Sequence, residues 1–416
     1  MKINYFFSHI VCGVFFVCQL ISGQHVYAEK THADRDESFS EAAFNRLNWV
    51  DVTSGISTQI MFDFAQPVYF KKKSIAQKHE VRLTFPGMRL KFFNSKHVLL
   101  KLAKLKAMGL VRSVNLEEKT TKYPKVVLTI DFEPFKKGGD VHDDKAVKNS
   151  LVIKWCKLEE PNRLILDIFT QDSLAKLDQQ QGSVFFAHNE KKTQKKNYRI
   201  VLDAGHGGSD AGAERFGLKE KDLALDIALR TRALFQKHGV TTLLTRNDDA
   251  TLSLADRIEF ANQLKAHLFV AIHLNATAVQ KEKISGVETF HLNTKCFNNS
   301  SASQGFLTLN FSPKDHHIDI IKNFYQRQHN ASGQLASCIQ QSVLESIKKK
   351  HDTIIDRGVK TDLFRIFFNN GTPTALVEVG FLTNPDEAKR LAQAGYRQLI
   401  AQGIYSGIQH YLEQEA

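Results

Sequence analysis

The sequence predicts two folded domains: a separate N-terminal all-β domain of sandwich type, and an α/β domain whose open, mostly parallel, twisted sheet is flanked by helices. Two observations predict this. From about 40 to 170, short runs such as KVVLTIDF and NRLILDIF alternate apolar and polar residues, which is the period of a half-buried strand. From 198 onward, strand patterns alternate with helix patterns, as in a parallel sheet covered by helices.

The α/β domain is assigned to residues 198–414. Its predicted strands are RIVLDAG, VTTLLT, HLFVAIHL, GVETFHL and TALVEVGFL, and its predicted helices include KDLALDIALRTRALFQKHG, LADRIEFANQLKA, GQLASCIQQSVLESIKKK and NPDEAKRLA. The stretch 171–197 between the two domains is rich in Gln, Lys and Asn and lacks clear periodicity, so we expect a linker there.

The N-terminus is typical of a secretory signal peptide covering residues 1–28. Lys2 precedes an apolar stretch, and small residues lead to Ala28. Polar residues interrupt the stretch, which disfavours a permanent membrane anchor, and no later segment is apolar enough to span a bilayer. We therefore expect export to the periplasm or cell envelope, without a transmembrane span after signal removal and without a nucleic-acid partner.

The composition of the 416 residues, 42% hydrophobic and 24% charged, indicates packed cores. The formal net charge of +12 indicates either an anionic partner, such as a wall polymer or membrane surface, or a merely solvated basic surface. After signal removal three cysteines remain, Cys156, Cys296 and Cys338. Because they are odd in number and widely spaced, they predict no disulfide framework.

Polar residues stand at the ends of several predicted strands. His206 follows IVLDAG, His273 lies in FVAIHLN and Glu378 lies in ALVEVGF, while Glu220 stands at the start of the first helix of the α/β domain. In open α/β sheets, sites form at the carboxyl ends of the strands. We therefore expect these residues to lie close together.

The stretch IVLDAGHGGSDAGA surrounds His206 with glycines, which could cradle a phosphate, form an incidental turn, or clear space for a metal ligand. The glycine spacing matches neither the dinucleotide fingerprint nor the P-loop. Catalytic zinc sites commonly take three nitrogen or oxygen ligands and keep one position open. Burial of a second imidazole, that of His273, is costly unless something satisfies it, which favours the metal interpretation.

The spacing alone does not choose the third ligand among Glu220, Asp210 and Asp222. Glu378 lies in an apolar strand, where a carboxylate needs a partner or a raised pKa. It is a candidate general base or acid, and the alternative is a structural ion pair with Arg257 or Arg357.

Six motifs together resemble the zinc-dependent N-acetylmuramoyl-L-alanine amidases over about 198–414: DAGHGGSDAGA, KEKDLALDIA, AIHLNA, GVETF, DRGVK and ALVEVGFLTNPDEA. The resemblance implies that His206, Glu220 and His273 bind Zn²⁺ and that Glu378 is the catalytic glutamate. It also implies peptidoglycan as the substrate, cleaved at the amide between the lactyl group of N-acetylmuramic acid and the first L-alanine of the stem peptide.

The region at about 40–170 is similar, by pattern and position, to the AMIN domain that precedes such catalytic domains. AMIN domains are associated with envelope placement, often at the division site, so the resemblance implies a role in cell separation. In the implied reaction, zinc lowers the pKa of its bound water to ~7, and Glu378 takes the water proton and delivers it to the leaving nitrogen. Asp203 could orient a histidine or only cap its strand.

About 40 residues separate GVETFHL from GQLASC. In related exported amidases, an insertion here can hold a helix over the zinc until a protein activator moves it. The segment SPKDHHIDIIKNFYQRQ could form such a helix, with Ile318, Ile321 and Phe324 on one side, so we expect the insertion at about 293–331 to restrain activity. The pair His316–His317 could form a second metal site or a solvated surface pair.

Two other classes of function remain open. The protein could be a non-catalytic wall-binding protein with a degenerate α/β domain, or a zinc peptidase or deacetylase acting on the same polymer. The presence of all four candidate residues, His206, Glu220, His273 and Glu378, disfavours the non-catalytic alternative.

Overall fold

The fold is known from a computed structural model that describes residues 47–55, 57–75, 78–92, 95–120, 124–133, 151–158, 162–179, 198–278, 283–293, 304–309, 316–368 and 370–415. The predicted signal peptide, most of the predicted linker and Cys296 lie outside the described residues. None of the described helices is both long and apolar enough to cross a membrane.

The N-terminal region forms two antiparallel sheets. Their strands are β1 (Leu47–Ser54), β2 (Thr58–Phe64), β3 (Lys71–Ile75), β4 (Glu80–Pro86), β5 (Val111–Lys119), β6 (Lys125–Phe132), β7 (Leu151–Leu158) and β8 (Arg163–Thr170). One sheet has the order β3-β4-β6-β5, and β1-β2-β8-β7 form most of the other. Alternate residues of both sheets share one apolar core, which includes Phe62 and Leu128, so the two sheets form the predicted sandwich.

This region is not all-β, because it contains helix α1 (Ser95–Ala107). Val98, Leu102 and Leu105 are fully buried against the sandwich core, at the spacing that places them on one face of a helix. The prediction missed the helix because it followed only the alternating runs.

The α/β domain is built on a six-stranded sheet with the order β12-β9-β13-β17-β14-β16. Its strands are β9 (Arg199–Ala204), β12 (Thr241–Leu244), β13 (Leu268–Asn275), β14 (Val287–Leu292), β16 (Asp356–Asp362) and β17 (Thr374–Phe381), and the short β10 (Glu214–Arg215) and β11 (Leu218–Lys219) form a separate ribbon. Strands β12, β9, β13 and β17 are parallel to one another, whereas β14 runs antiparallel to β17 and parallel to β16. The sheet is therefore mostly parallel, as predicted.

Helices cover both faces of this sheet. They are α3 (Glu220–Lys237), α4 (Leu254–Gln263), α5 (His317–Lys348), α6 (Pro385–Leu391) and α7 (Ala394–Gln414). Buried residues of α3, α7 and the second half of α5 pack on one face in a common core with strand residues such as Ile272 and Val377. Neighbouring strand residues such as Ala271 and Leu376 point to the other face, where α4 packs.

The two domains are not separate, which corrects the prediction. Strand β15 (Gln304–Leu309), which belongs to the insertion after β14, pairs antiparallel with β7 and completes a five-stranded sandwich sheet, β1-β2-β8-β7-β15. A second apolar cluster combines Val152 and Ile165 of the sandwich with Phe269 of the α/β sheet and Ile321 of α5. The domains join because the sandwich sheet is apolar on its outer face as well.

The predicted linker begins as a helix, α2 (Gln171–Gln179). Leu174 and Leu177 are buried in the same interdomain apolar cluster, so the first part of this segment is anchored rather than extended. Their spacing of three residues fits one face of a helix, but two leucines are a short pattern, and the Gln-rich composition concealed it.

The insertion helix and the following predicted helix form one continuous helix, α5. The backbone N–H of Thr374, the first residue of β17, donates to the Ser332 hydroxyl, and the Gln340 amide donates to the carbonyl of Val287, which begins β14 next to Glu378. Residues of α5 before Ser332 therefore extend past the start of β17. Glu378 lies four residues along β17 in the opposite direction, roughly 13 Å at ~3.3 Å per residue.

The prediction that a helix of the insertion covers the site is therefore wrong for the described residues 316–331. The physical reason is that Ile321 and Phe324, two of the three residues expected to form its apolar side, are buried against the sandwich, while Ile318 is only partly buried. The rest of the insertion, apart from β15, lies outside the described residues.

A polar group fixes this contact between the domains, and we call Gln59, Lys154, Asp167 and Tyr325 the interdomain cluster. Asp167 accepts hydrogen bonds from the Gln59 amide at 2.5 Å and the Tyr325 hydroxyl at 2.7 Å. Lys154 is its cross-strand neighbour and its ammonium lies 4.8 Å from the centre of the Tyr325 ring. Asp167 and Lys154 are almost fully buried.

Candidate metal centre and active site

The four predicted site residues are placed by the carboxyl ends of the parallel strands. His206 follows β9 after one glycine, and Glu220 is the first residue of α3. His273 lies near the end of β13, where its Cα is in register with that of Glu378 on the neighbouring β17. Residues opposite each other on paired strands point to the same side of the sheet, so His273 and Glu378 lie next to each other.

Three of these side chains converge on one point. Glu220 Oε1 lies 3.1 Å from His206 Nε2 and 3.0 Å from His273 Nδ1. One ligand atom from each of the three lies within 4.8 Å of the others, and they are the one such group of three or more His, Cys, Asp or Glu residues in the described part of the chain. Donors this close to one another can share one divalent ion after small side-chain movements.

The geometry chooses Glu220 over the two aspartates as the third member. Asp210 instead accepts a hydrogen bond at 2.8 Å from Nδ1 of His206, on the ring edge away from Glu220. Asp222 is exposed. Asp210 therefore orients the His206 ring, in the way that carboxylates commonly support metal-binding histidines.

The electrostatics of the group favour a cation. Burial lowers the pKa of His206, but the hydrogen bonds and charges of Glu220 and Asp210 outweigh it and raise the pKa to about 9. Burial raises the pKa of Glu220, but the hydrogen bonds and charges of the two histidines outweigh it and hold that pKa well below its usual range. The site therefore keeps an ionised carboxylate beside the imidazoles, and a bound metal ion would replace the extra proton of His206.

The glycines around His206 leave room for the imidazoles. A Cβ on Gly205 would lie 2.4 Å from Cε1 of His273, and a Cβ on Gly212 would lie 2.6 Å from Glu220 Oε2 and 2.7 Å from His206 Cδ2. Gly212 also has φ +65°, which glycine adopts without strain. The close approach of these glycines to all three side chains is the arrangement expected of a metal-ligand loop.

Within the described residues Asp203 makes no hydrogen bond to a histidine, so of the two alternatives the orienting role is wrong. Its carboxylate accepts from Arg257 at 2.6 Å and Thr245 at 2.5 Å. Arg257 in turn donates to the carbonyls of Ala204 and His206 at 2.7 and 2.6 Å. Asp203 therefore fixes the backbone that carries His206, through a buried arginine, rather than the imidazole itself.

Glu378 has no ion-pair partner among the arginines that the sequence suggested, because Arg257 pairs with Asp203 and Arg357 pairs with Glu288. Within the described residues, its buried Oε2 has no hydrogen-bond partner. Burial, followed by the charges of Glu220 and Glu288, raises the pKa of Glu378 well above its usual range. A carboxyl group of this kind can hold a proton near neutral pH and release it.

Glu288 is a charged residue beside the site whose place the sequence analysis missed. It pairs with Glu378 across β14 and β17 and is 4% exposed. Asn275, Arg357 and Lys360 donate to its two oxygens. The sequence could have indicated Glu288, because VETFHL carries a carboxylate inside an apolar strand just as ALVEVGF does.

The comparisons with known proteins agree with this geometry. A family model described as N-acetylmuramoyl-L-alanine amidase (Amidase_3) matches residues 200–410, half of the chain. The chain belongs to this family. The match covers most of the α/β domain of this chain and includes all four predicted site residues.

Individual relatives support the family. The amidase AmiA of Escherichia coli (strain K12) is 32% identical over 240 residues, which cover 54% of this chain and 80% of AmiA. The amidase AmiC of Escherichia coli O6:H1 is 31% identical over 223 residues, which cover 51% of this chain and 52% of that protein. The solved structure of AmiC2 of Nostoc punctiforme is 28% identical with a TM-score of 0.40, over 53% of this chain and 99% of its own. Because of the family match and the similarity to AmiA, the protein is an N-acetylmuramoyl-L-alanine amidase, a hydrolase that degrades peptidoglycan.

The pair His316–His317 lies far from this site of the amidase, at the start of α5. The two rings are stacked with centroids 5.3 Å apart, and the exposed His316 lies 3.7 Å from Asp178 of α2. Within the described residues the pair is not part of a group of three metal-ligand side chains. The alternative of a second metal site there has no support.

Proposed function

We propose that the amidase binds Zn²⁺ through His206, Glu220 and His273, and uses Glu378 as its general base and acid. The substrate bond is the amide between the lactyl group of N-acetylmuramic acid and L-alanine. The observation that carries the proposal is the convergence of three donor atoms within 4.8 Å of one another. One of them belongs to His273, which pairs in register with Glu378, and a buried carboxyl oxygen of Glu378 has no partner within the described residues.

The donor set suits zinc, which takes two imidazole nitrogens and one carboxylate oxygen in known catalytic sites and keeps a position open. Zn²⁺ bound there would lower the pKa of a water molecule to ~7 and polarise the lactyl carbonyl. Asp210 would hold the His206 ring with Nε2 towards Glu220 and thus towards the ion.

Glu378 carries the proton in this reaction. In its ionised form, which a cation in the candidate site would favour, Glu378 accepts a proton from the attacking water, and burial of its oxygen then favours the protonated form. It then donates that proton to the alanine nitrogen as the amide bond breaks. One residue therefore acts first as the base and then as the acid.

Zinc removal and product analysis test this proposal. Chelated enzyme should release no dye from labelled peptidoglycan, and stoichiometric Zn²⁺ should restore release. The new end should be the free amine of L-alanine. A different new peptide end would indicate a peptidase, release of acetate a deacetylase, and wall retention without any cleavage a binding protein; each would overturn the proposal.

We propose further that the chain is exported to the cell envelope, where the sandwich, as an AMIN-like domain, places the enzyme for cell separation. The two-sheet architecture and its position before the amidase domain support this. Deleting residues 1–28 should leave the protein in the cytoplasm, and loss of the full-length protein should give unseparated cells. Normal separation of cells that lack the protein would contradict the role in cell separation. A protein activator stays a prediction from the sequence.

A further inference from the structure

A row of charged side chains continues past Glu378 across the sheet. On the neighbouring strands, His273 stands opposite Glu378 on one side and Glu288 stands opposite it on the other, so the three side chains lie next to each other on one face of the sheet. Beyond Glu288, the register of β14 and β16 shifts between Val287 and Thr289. This irregularity brings Arg357 alongside Glu288.

Two cations share one carboxylate at the end of this row. Arg357 Nε donates to Glu288 Oε2 at 2.7 Å, and Lys360 Nζ donates to the same oxygen at 2.5 Å. The other oxygen of Glu288 accepts from Asn275 at 2.7 Å. One cation is enough to neutralise one carboxylate, so the group carries one surplus positive charge.

These cations are held in place and remain accessible. Their side chains are 31% and 38% exposed, whereas that of Glu288 is 5% exposed. The Arg357 guanidinium lies 5.0 Å from the centre of the Phe381 ring, and the Lys360 ammonium lies 5.7 Å from that of Phe290. Arg357 uses only Nε in its hydrogen bond within the described residues, so its terminal nitrogens remain donors for a ligand.

The distance from the proposed reaction centre suits a short peptide. Arg357 lies on the second strand from Glu378, which is roughly 10 Å away at ~4.8 Å per strand. Both cationic groups point towards Glu288 on the intervening strand, which shortens their distance from Glu378. An extended peptide advances about 3.3–3.6 Å per residue, so this position corresponds to the second or third residue of the stem peptide.

We propose that Arg357 and Lys360 form a subsite for a stem-peptide carboxylate, held open and oriented by Glu288. The enzyme should then prefer stem peptides with a free carboxylate two or three residues from the cleaved amide to stem peptides in which that carboxylate is amidated. This inference rests on the proposed function, because it places the scissile amide beside Glu378.

Matched muramyl peptides test the subsite. One pair carries the α-carboxyl of the second residue, D-glutamate, either free or as the amide, and a second pair varies the carboxyl of the third residue, diaminopimelate, in the same way. For at least one pair, wild-type kcat/KM should be about tenfold higher for the free acid, or ~1.4 kcal/mol, because the acid accepts charge-assisted hydrogen bonds that are stronger than those of the amide. Lys360→Gln and Arg357→Gln should each reduce that preference, through KM for the acid substrate.

The matched control is Lys322→Gln on α5, because its side chain is 43% exposed, close to that of Lys360. It should keep the wild-type preference. The subsite proposal is overturned if amidation has no effect in either pair, or if Lys360→Gln and Arg357→Gln lower kcat/KM equally for acid and amide.

Failure of the reaction itself can be distinguished from failure of the subsite. If wild-type enzyme cleaves none of the four peptides, the proposed reaction is wrong. Calorimetric Kd values of the same peptides with Glu378→Gln protein then decide the subsite separately: a tighter Kd for a free acid, abolished by adding Lys360→Gln, supports it, and equal Kd values overturn it.

Discussion

Two regions of the molecule bury a carboxylate and treat it in opposite ways. At the carboxyl end of the catalytic sheet, Glu378 has a buried oxygen without a hydrogen-bond partner in the described part of the chain. In the interdomain cluster, near the start of α5, both oxygens of Asp167 accept a hydrogen bond and Lys154 is its cross-strand neighbour. Buried polar groups are normally satisfied, so the satisfied carboxylate suits a structural role. The unsatisfied one, which lies beside the candidate metal centre, suits the proposed catalytic role.

The largest effect on activity is expected at the first of these carboxylates. Glu378→Gln keeps the shape of the side chain but cannot take a proton, so kcat should fall by about 10²–10⁴-fold, the usual contribution of a general acid–base. Dye release from labelled peptidoglycan measures the rate, and zinc content should stay at the wild-type level because Glu378 is not one of the three proposed ligands. A wild-type rate in this variant would sink the distinction drawn between the two carboxylates.

The second carboxylate should matter for stability instead. Asp167→Ala removes the buried acceptor of Gln59 and Tyr325 and the carboxyl group whose charge interacts with Lys154. Each buried group left unsatisfied costs about 1–3 kcal/mol. Urea unfolding should show this loss, while kcat of the folded protein stays near the wild-type value. A large drop in kcat at unchanged stability would show that the interdomain cluster takes part in the reaction.

The contrast also explains what could be predicted from the sequence. His206, His273 and Glu378 each lie at or next to the end of a strongly apolar strand, and parallel strands bring those ends together. The choice of Glu220 over Asp210 needed either the resemblance or the structure, because the three acids near the start of α3 are equivalent by spacing. The role of Asp203 could not be predicted, because Asp203 lies on strand β9 and its partner Arg257 lies on helix α4, about 50 residues later in the chain.

The interdomain contact could not be predicted for a different physical reason. Strand β15 pairs with a strand roughly 150 residues away, and nothing in QGFLTL specifies that partner. The apolar side of the early part of α5 was visible in Ile321 and Phe324, but the surface that covers it is set by tertiary packing. The expectation of a helix over the site came from a resemblance to relatives and not from these residues.

His291 is a second buried polar group to compare with Glu378, because its Nδ1 also lacks a partner within the described residues and yet lies away from the candidate metal centre. It is 7% exposed, packed against His329 with ring centroids 4.9 Å apart. Burial, followed by the charge of His329, lowers its pKa to about 4. The imidazole is therefore kept neutral, which is a structural demand rather than a catalytic one.

Because the fold keeps His291 neutral, the free energy of unfolding should fall in acid. In the unfolded chain the pKa of a histidine is ~6.5, so below that pH the unfolded state binds the extra proton first. The stabilisation is complete above pH ~6.5 and is lost as the pH falls towards 4, by about 3 kcal/mol at pH 4. His291→Gln should reduce the difference in unfolding free energy between pH 7 and pH 4 by about that amount, as measured by urea titration. An unchanged difference would show that folding does not lower the pKa of His291.

The smallest effect is expected from a single methyl group at the site. Gly205→Ala would bring a Cβ to 2.4 Å from the His273 ring, and because the ring must then move, zinc affinity should fall by about tenfold, or ~1.4 kcal/mol. Gly395→Ala at the start of α7 is the matched control, since its Cβ would meet nothing within 4 Å and helical alanine is favoured over glycine. Competition with a metal chelator measures both affinities. If Gly205→Ala binds zinc as tightly as Gly395→Ala, the ring of His273 is not a ligand, and the unsatisfied oxygen of Glu378 then needs an explanation other than chemistry beside a metal.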